Sequence, residues 1–193
     1  CIRKSTGEVI AVKVQRPSML IKVSRDLYIL RLICQAFEVV KEGVMRVGIL
    51  EQRKQYNLQM LENFATGSYL EMDYVNERRN MDRFASVVLP KCSKSHIRIP
   101  KVIFATRKVI ATEWIEGKKL VDSDAKTINK LTPIGVQCFL VQLLDAGFFH
   151  ADPHSANLLV DTRGRLCLID FGLCAEVSQP DTKGMCEALV HLM

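Results

Sequence analysis

Residues 150–172 read HADPHSANLLVDTRGRLCLIDFG, and this stretch decides the expected fold. It carries Asp152, Asn157 and Asp170, and two short apolar runs joined by a turn at 161–164 lie between the last two. A hairpin of this kind brings its two ends together, so we expect Asn157 and Asp170 to face each other. A carboxylate and an amide oxygen form a pair suited to Mg²⁺. Asp152, just upstream, would orient or deprotonate an attacking hydroxyl.

The combination of these residues is far more specific than any one of them. H-x-D-x-x-x-x-N at 150–157, followed by I-D-F-G at 169–172, is typical of phosphoryl transfer in kinase-like folds. A three-letter match such as DFG arises by chance, whereas the full set at this spacing indicates a site. The alternative is that the three polar residues only fix local turns.

A lysine interrupts an apolar run near the start of the chain. EVIAVKVQ at 8–15 is rich in Val and Ile and stops before Pro17, which predicts a strand. Alternation puts Lys13 on the face of Val9 and Ala11, where a charged group needs a partner. In a kinase-like fold that partner is a helix glutamate together with the ATP phosphates. The alternative is an edge strand with Lys13 in solvent.

Helical periodicity follows this strand. It predicts three helices, over 20–47, 50–65 and 69–87. The third would carry Glu71, Asp73 and Glu77, which cannot all face one site at 100° per residue. We therefore expect one of them to pair with Lys13.

The rest of the chain alternates strands and helices. We expect a hairpin from 101–105 and 108–114, a helix over 133–146, strands at 158–160 and 166–169, and a helix from 181 onward. The segment 112–117 follows a predicted strand and precedes a break, so its backbone is suited to offer a carbonyl and an amide to a flat base. Trp114 is expected to be an ordinary core residue.

Composition limits the classes of protein that this chain can belong to. Its 193 residues are 48% hydrophobic and 25% charged, which excludes wholesale disorder, and no apolar run is long enough to span a bilayer. Seven cysteines without a C-x-x-C pair indicate reduced thiols rather than a zinc site.

The net charge of +6 is confined to residues 1–60, which hold 11 Lys or Arg against 5 Asp or Glu. This excess is suited to phosphates or to peripheral association with an anionic membrane surface; the alternative is a solvated helix face. We expect no nucleic-acid partner, because few aromatic residues lie among the basic ones.

Several of these segments together resemble the UbiB-like atypical kinases of quinone biosynthesis, above all their plastid and cyanobacterial branch. They are AVKVQRP at 11–17, EMDYVNE at 71–77, TEWIEGKKL at 112–120 and QLLDAGFFHADPHSANLLV at 142–160. The resemblance implies an α+β, two-lobed protein-kinase-like fold, truncated at both ends. It also implies extra helices between the lysine strand and the E-x-D helix, whose family motif Glu71 and Asp73 match. Residues 1–116 would form a partial N-lobe and 117–193 a partial C-lobe.

The resemblance also implies ATP and Mg²⁺ as cofactors and assigns roles by motif. Glu77 is the favoured partner of Lys13, with Glu71 as the alternative. Lys13 matches the phosphate-binding lysine, and Asp152 matches the catalytic aspartate. Asn157 and Asp170 match the metal ligands, and the backbone of Glu113 and Ile115 would contact adenine.

One departure from the family pattern lies inside the catalytic loop. Ser155-Ala156 replaces the usual Pro-Gly, and Ala156 would cost roughly 1 kcal/mol if this position needs a positive φ.

The resemblance implies an atypical kinase or ATPase acting on a small or lipid-like acceptor in isoprenoid-quinone or prenyl-lipid metabolism. Its expected location is an organelle, a plastid rather than a mitochondrion. The alternatives are a non-catalytic ATP-binding scaffold and a small-molecule phosphotransferase of the aminoglycoside-kinase type. Protein partners are not indicated. The isolated segment is expected to be inactive.

Overall fold

The computed structural model describes residues 1–44, 49–92 and 96–192, which form two compact units. One unit combines Cys1–Val14 with Asp73–Met193, and the other is Gln15–Met72. The last positions of the helix predicted over 20–47 fall at 45–47, outside the described residues.

The unit Gln15–Met72 is an antiparallel pair of helices, α1 (Met19–Val44) and α2 (Ile49–Glu71). The Tyr69 hydroxyl donates to Ser24 Oγ at 3.0 Å, and Arg31 forms an ion pair with Glu62. The predicted end of the second helix at residue 65 is wrong. The helix continues to Glu71, and the Thr66 and Ser68 hydroxyls in its extra turns donate to carbonyls one turn back. Among the described residues, no helix is long and apolar enough to cross a bilayer.

Asp73 divides what was predicted as one helix over 69–87. Its backbone is extended, and its carboxylate accepts a hydrogen bond of 2.9 Å from the Val75 amide, so it caps α3 (Tyr74–Arg83). A π-helical turn, Phe84–Val88, completes this element. Glu71 and Glu77 therefore lie on different helices and not on two faces of the same one.

The first sheet is antiparallel and holds the lysine strand in register. Its order is β1 (Ile10–Val14), β4 (Val109–Glu113) and β3 (Val102–Ala105), and Lys13 lies opposite Ile110. The predicted strand and the predicted hairpin are thus both present.

A second sheet carries the hairpin that follows the loop around Asp152. Its order is β2 (Ile97–Arg98), β8 (Leu166–Leu168), β7 (Leu158–Asp161) and β5 (Gly117–Lys119). The strands β6 (Phe148–His150) and β9 (Cys174–Glu176) form a separate pair. Strands β2, β5, β6 and β9 were not predicted, because two or three residues are too short for an alternating pattern. The equally short β8 was predicted because the turn at 161–164 marks it.

Two further helices complete this unit, α4 (Ala125–Val141) and α5 (Gln179–Leu192). The prediction that α4 begins near Pro133 is wrong. Asp124 caps it two turns earlier by accepting a hydrogen bond of 3.0 Å from the Thr127 amide, so Pro133 lies inside the helix. Gly147, at φ 61°, follows the π-helical turn Gln142–Ala146 and ends the element in the left-handed conformation.

The main core lies where α3 meets the segment that follows β8. Phe84 and Phe171 are fully buried and pack edge to face, with ring centroids 5.0 Å apart. Around them pack the buried side chains of Tyr74, Met81, Val88, Ile97, Ile110, Cys138, Phe148 and Leu168. All seven cysteines are unpaired in this structure.

Truncation of the central core residue tests this description. We expect Phe84→Ala to lower the free energy of unfolding of the full-length protein by about 3–5 kcal/mol, because the surrounding side chains cannot close the cavity. The matched control is Phe104→Ala in β3, where the side chain is 44% exposed and the expected loss is below about 1 kcal/mol. Urea unfolding measures both, and equal losses would contradict the placement of the core.

Candidate functional site

A cavity of about 440 Å³ lies beside β1, α3, β4 and β7. Its walls bring together most of the residues that the sequence predicted for the site: Lys13, Glu77, Glu113, Ile115, Asn157 and Asp170. Two predicted residues are not in its walls, Asp152 and Glu71.

Lys13 is the centre of a group of three charges in this cavity. Its Nζ lies 3.1 Å from Glu77 Oε2 and 3.1 Å from Asp170 Oδ2. Of the two candidate glutamates, the structure therefore places Glu77 against the lysine. Glu71 is exposed at the end of α2, in the unit Gln15–Met72.

Burial and charge act in opposite directions on this group. Burial alone would lower the pKa of Lys13, yet the adjacent carboxylates of Glu77 and Asp170 raise it overall. Burial raises the pKa of Glu77, whose side chain is only 4% exposed, although Lys13 favours its charged form. Burial would also raise the pKa of Asp170, but Lys13 and the Gly172 amide lower it overall. Lys13 thus remains a cation beside an ionised Asp170.

Asn157 and Asp170 lie at the open end of the β7–β8 hairpin, as predicted. The Ile169 amide donates to the Asn157 carbonyl oxygen at 3.2 Å, which ties the two ends together. One oxygen of Asp170 accepts a hydrogen bond from Gly172, and the Asn157 side chain makes no hydrogen bond within the described part of the chain.

These two side chains fit Mg²⁺ as oxygen donors that line one cavity. Across residues 1–44, 49–92 and 96–192, no group of three His, Cys, Asp or Glu side chains could hold a metal ion. A cation at Asn157 and Asp170 would therefore need its other ligands from phosphates and water.

Asp152 lies in the loop between β6 and the 3₁₀ turn Ser155–Asn157. Its carboxylate is 52% exposed and lies 3.4 Å from His154 Nε2. Its backbone is held from both sides, because its amide donates to His150 Nδ1 at 3.1 Å and its carbonyl accepts from the His154 amide at 2.9 Å. The loop is thus fixed, while the Asp152 side chain is open to solvent.

His150 connects the loop around Asp152 with the segment around Asp170, a role that the sequence analysis missed. The side chain is buried, as expected for a packed and hydrogen-bonded histidine. Since Nδ1 accepts from the Asp152 amide, the proton lies on Nε2, which donates to the Asp170 carbonyl. Burial lowers the pKa of His150 and so favours this neutral form. Its position two residues before Asp152 was the only available signal.

The segment expected to contact a base also lines the cavity. Ile115 is buried, but Trp114 is 56% exposed at the cavity, so the prediction that Trp114 is an ordinary core residue is wrong. Ser155-Ala156 imposes no backbone strain, because within the described residues Ser18 alone among non-glycine residues has a positive φ.

A double-mutant cycle tests the pairing of Lys13 with Glu77. We expect Lys13→Met to lower the free energy of unfolding by about 1–3 kcal/mol, because it leaves a buried carboxylate without its partner. Adding Glu77→Gln should recover most of this loss, since a neutral amide needs no cation. Lys119→Met is the control, because Lys119 lines the same cavity but is exposed. Additive losses in the cycle, measured by urea unfolding, would contradict the pairing.

Comparison with known proteins identifies the family to which this chain belongs. Residues 2–193 match the family described as ABC1 atypical kinase-like domain. The chain is 33% identical to the Arabidopsis thaliana protein ACTIVITY OF BC1 COMPLEX KINASE 3, chloroplastic, over 97% of this chain and 26% of that protein. It is 34% identical to the uncharacterized protein sll0005 of Synechocystis, over 97% of this chain and 27% of that protein. The chain thus spans about a quarter of the length of these relatives.

A solved structure shows the same fold. The Rv3197–erythromycin complex from Mycobacterium tuberculosis superimposes with a TM-score of 0.58 and 26% identity, over 90% of this chain and 42% of that one. The predicted α+β, kinase-like fold and the resemblance to the plastid and cyanobacterial UbiB-like kinases are therefore confirmed. This chain belongs to the ABC1 atypical kinase-like family.

Proposed function

We propose that this chain is the nucleotide-binding and phosphoryl-transfer segment of an ATP- and Mg²⁺-dependent atypical kinase or ATPase. The observation that carries the proposal is the single cavity that joins Lys13, Glu77, Asn157 and Asp170. A held cation beside the side-chain oxygens of Asn157 and Asp170 is what a Mg²⁺-bound polyphosphate needs. Residues 1–116 and 117–193 would then be the parts of the N-lobe and the C-lobe on either side of it.

Each side chain has a distinct task in this proposal. Lys13 binds a phosphate oxygen, and Glu77 keeps its ammonium group aimed into the cavity. Asn157 and Asp170 hold Mg²⁺, which when bound neutralises charge on the phosphates. Backbone groups of Glu113 and Ile115 contact the adenine. Asp152 accepts the proton of the acceptor hydroxyl or water as that oxygen bonds to the phosphorus and ADP leaves.

The wider role is proposed from the relatives. Since these are cyanobacterial proteins and Arabidopsis proteins named as chloroplastic, we propose a plastid location in a eukaryotic host. We propose a small or lipid-like acceptor in isoprenoid-quinone or prenyl-lipid metabolism. Exposed apolar residues of α1 near Lys22 and Arg25, among them Ile21 and Tyr28, support peripheral contact with a membrane.

One observation favours a second candidate, a non-catalytic ATP-binding regulator. Asp152 is half exposed and does not line the cavity, so ATP could bind without a base beside its γ-phosphate. Catalysis by Asp152 requires its carboxylate to reach an acceptor bound beside the γ-phosphate.

Turnover by the full-length protein separates the two candidates. We expect Asp152→Asn to lower ATP turnover at least about 100-fold while leaving the Kd for Mg·ATP within about threefold, because Asp152 acts on the acceptor and not on the nucleotide. We expect Asp170→Asn to remove the Mg²⁺ dependence of ATP binding. Calorimetry and phosphate release measure these effects.

The matched control is Asp181→Asn, an exposed aspartate in α5, which should change neither quantity. Wild-type turnover by the Asp152→Asn protein would reject the enzyme in favour of the regulator. No binding of Mg·ATP to the wild-type protein would reject both.

A further inference from the structure

Arg98, in the two-residue strand β2, joins two carboxylates that belong to different parts of the chain. One of its nitrogens donates to Glu113 Oε1, and another lies 3.6 Å from Asp161 Oδ2. Glu113 ends β4, immediately before the segment that lines the cavity, and Asp161 ends β7. None of the roles proposed above uses Arg98 or Asp161.

Asp161 is a fixed and buried anion. Its side chain is 2% exposed, and it accepts hydrogen bonds from the Arg163 amide at 3.0 Å and from the Arg165 amide and Nε, each at 2.8 Å. Burial would raise the pKa of Asp161, but the bonds from Arg165 outweigh this and lower it. Because the backbone amides of Arg163 and Arg165 hold its carboxylate in place, Asp161 is a rigid anchor for Arg98, and the Arg165 side chain compensates its charge.

The segment 113–117, which runs along the cavity, is held at its N-terminal end through Glu113. The Glu113 amide donates to the Lys101 carbonyl at 2.8 Å, and Glu113 Oε2 accepts from the Lys101 amide at 3.4 Å. Arg98 binds the other carboxylate oxygen, so the Glu113 side chain is held on both oxygens.

The segment is held at its C-terminal end by the β7–β8 turn. The Thr162 amide donates to the Glu116 carbonyl at 3.3 Å, and Gly117 pairs with Asp161. The two strands approach so closely that a Cβ at Gly117 would lie 2.2 Å from the Val160 carbonyl oxygen. Only Trp114 and Ile115 lie between these two anchors, and both line the cavity.

We propose that Arg98 and Asp161 are positioning residues for the base of the nucleotide. Through Glu113 they hold the backbone of 113–115 in place to offer a carbonyl and an amide to a flat ring. This inference rests on the proposed function, since it concerns a nucleotide bound in the cavity. The planar guanidinium suits the task, because it binds two carboxylates from fixed directions and a lysine does not.

A rigid segment that holds the base contributes to the affinity for ATP. The phosphates are bound elsewhere in the cavity, so their contribution does not depend on this segment. We therefore expect Arg98→Met in the full-length protein to raise the Kd for Mg·ATP about tenfold. The Kd for Mg²⁺-tripolyphosphate, which has no base, should change less than twofold. Arg98→Lys should restore only part of the ATP affinity.

The matched control is Arg165→Met, which removes the other arginine of Asp161 but makes no contact with Glu113. We expect it to lower the melting temperature while leaving the ratio of the two Kd values within twofold of wild type. Isothermal calorimetry gives both constants, and a thermal melt shows that each variant is folded. If Arg98→Met does not fold, Glu113→Gln, which weakens the same contact, takes its place.

The outcomes distinguish this inference from the proposed function. The measured quantity is the Kd for Mg·ATP divided by the Kd for Mg²⁺-tripolyphosphate. If Arg98→Met leaves this ratio unchanged, or if Arg165→Met changes it equally, the positioning role is overturned while ATP binding stands. If the wild-type protein binds neither Mg·ATP nor Mg²⁺-tripolyphosphate, the proposed function itself is overturned.

Discussion

The ion group of Lys13, Glu77 and Asp170 joins three segments that are far apart in the chain. Glu77 is almost completely buried, and a buried carboxylate without a cation is strongly unfavourable. The lysine strand, helix α3 and the segment after β8 must therefore keep their mutual positions within the unit that contains them. The same three charges form the wall of the cavity, so the contact that orders this unit also prepares its site.

The hydrophobic core lies directly behind this ion group. Phe171 follows Asp170 in the chain and is fully buried against Phe84, while the Asn80 side chain donates to the Phe171 carbonyl at 2.8 Å. A residue that packs in the core thus neighbours a residue that faces the cavity. Because side chains in such a core are close-packed, a shift of Phe171 would move the Asp170 carboxylate.

Local patterns in the sequence were sufficient for much of the fold. The strand around Lys13, the hairpin of β3 and β4, and the hairpin of β7 and β8 each have a periodicity or a turn that is visible within a few residues. The division of a predicted helix at Asp73 was missed, since an aspartate becomes a helix cap only when the chain turns there. The shortest strands were missed because sheet neighbours distant in sequence, and not their own residues, define them.

The sequence by itself determined the identity and spacing of Lys13, Asn157 and Asp170, which are the side chains that the proposed phosphate and metal site requires. Only the tertiary structure decided which glutamate meets Lys13, since the sequence left both Glu71 and Glu77 available as its partner. It also revealed the contacts of His150 and of Arg98, which join residues distant in sequence. Such contacts leave no local pattern, because they depend on how separate elements pack and not on the order of neighbouring residues.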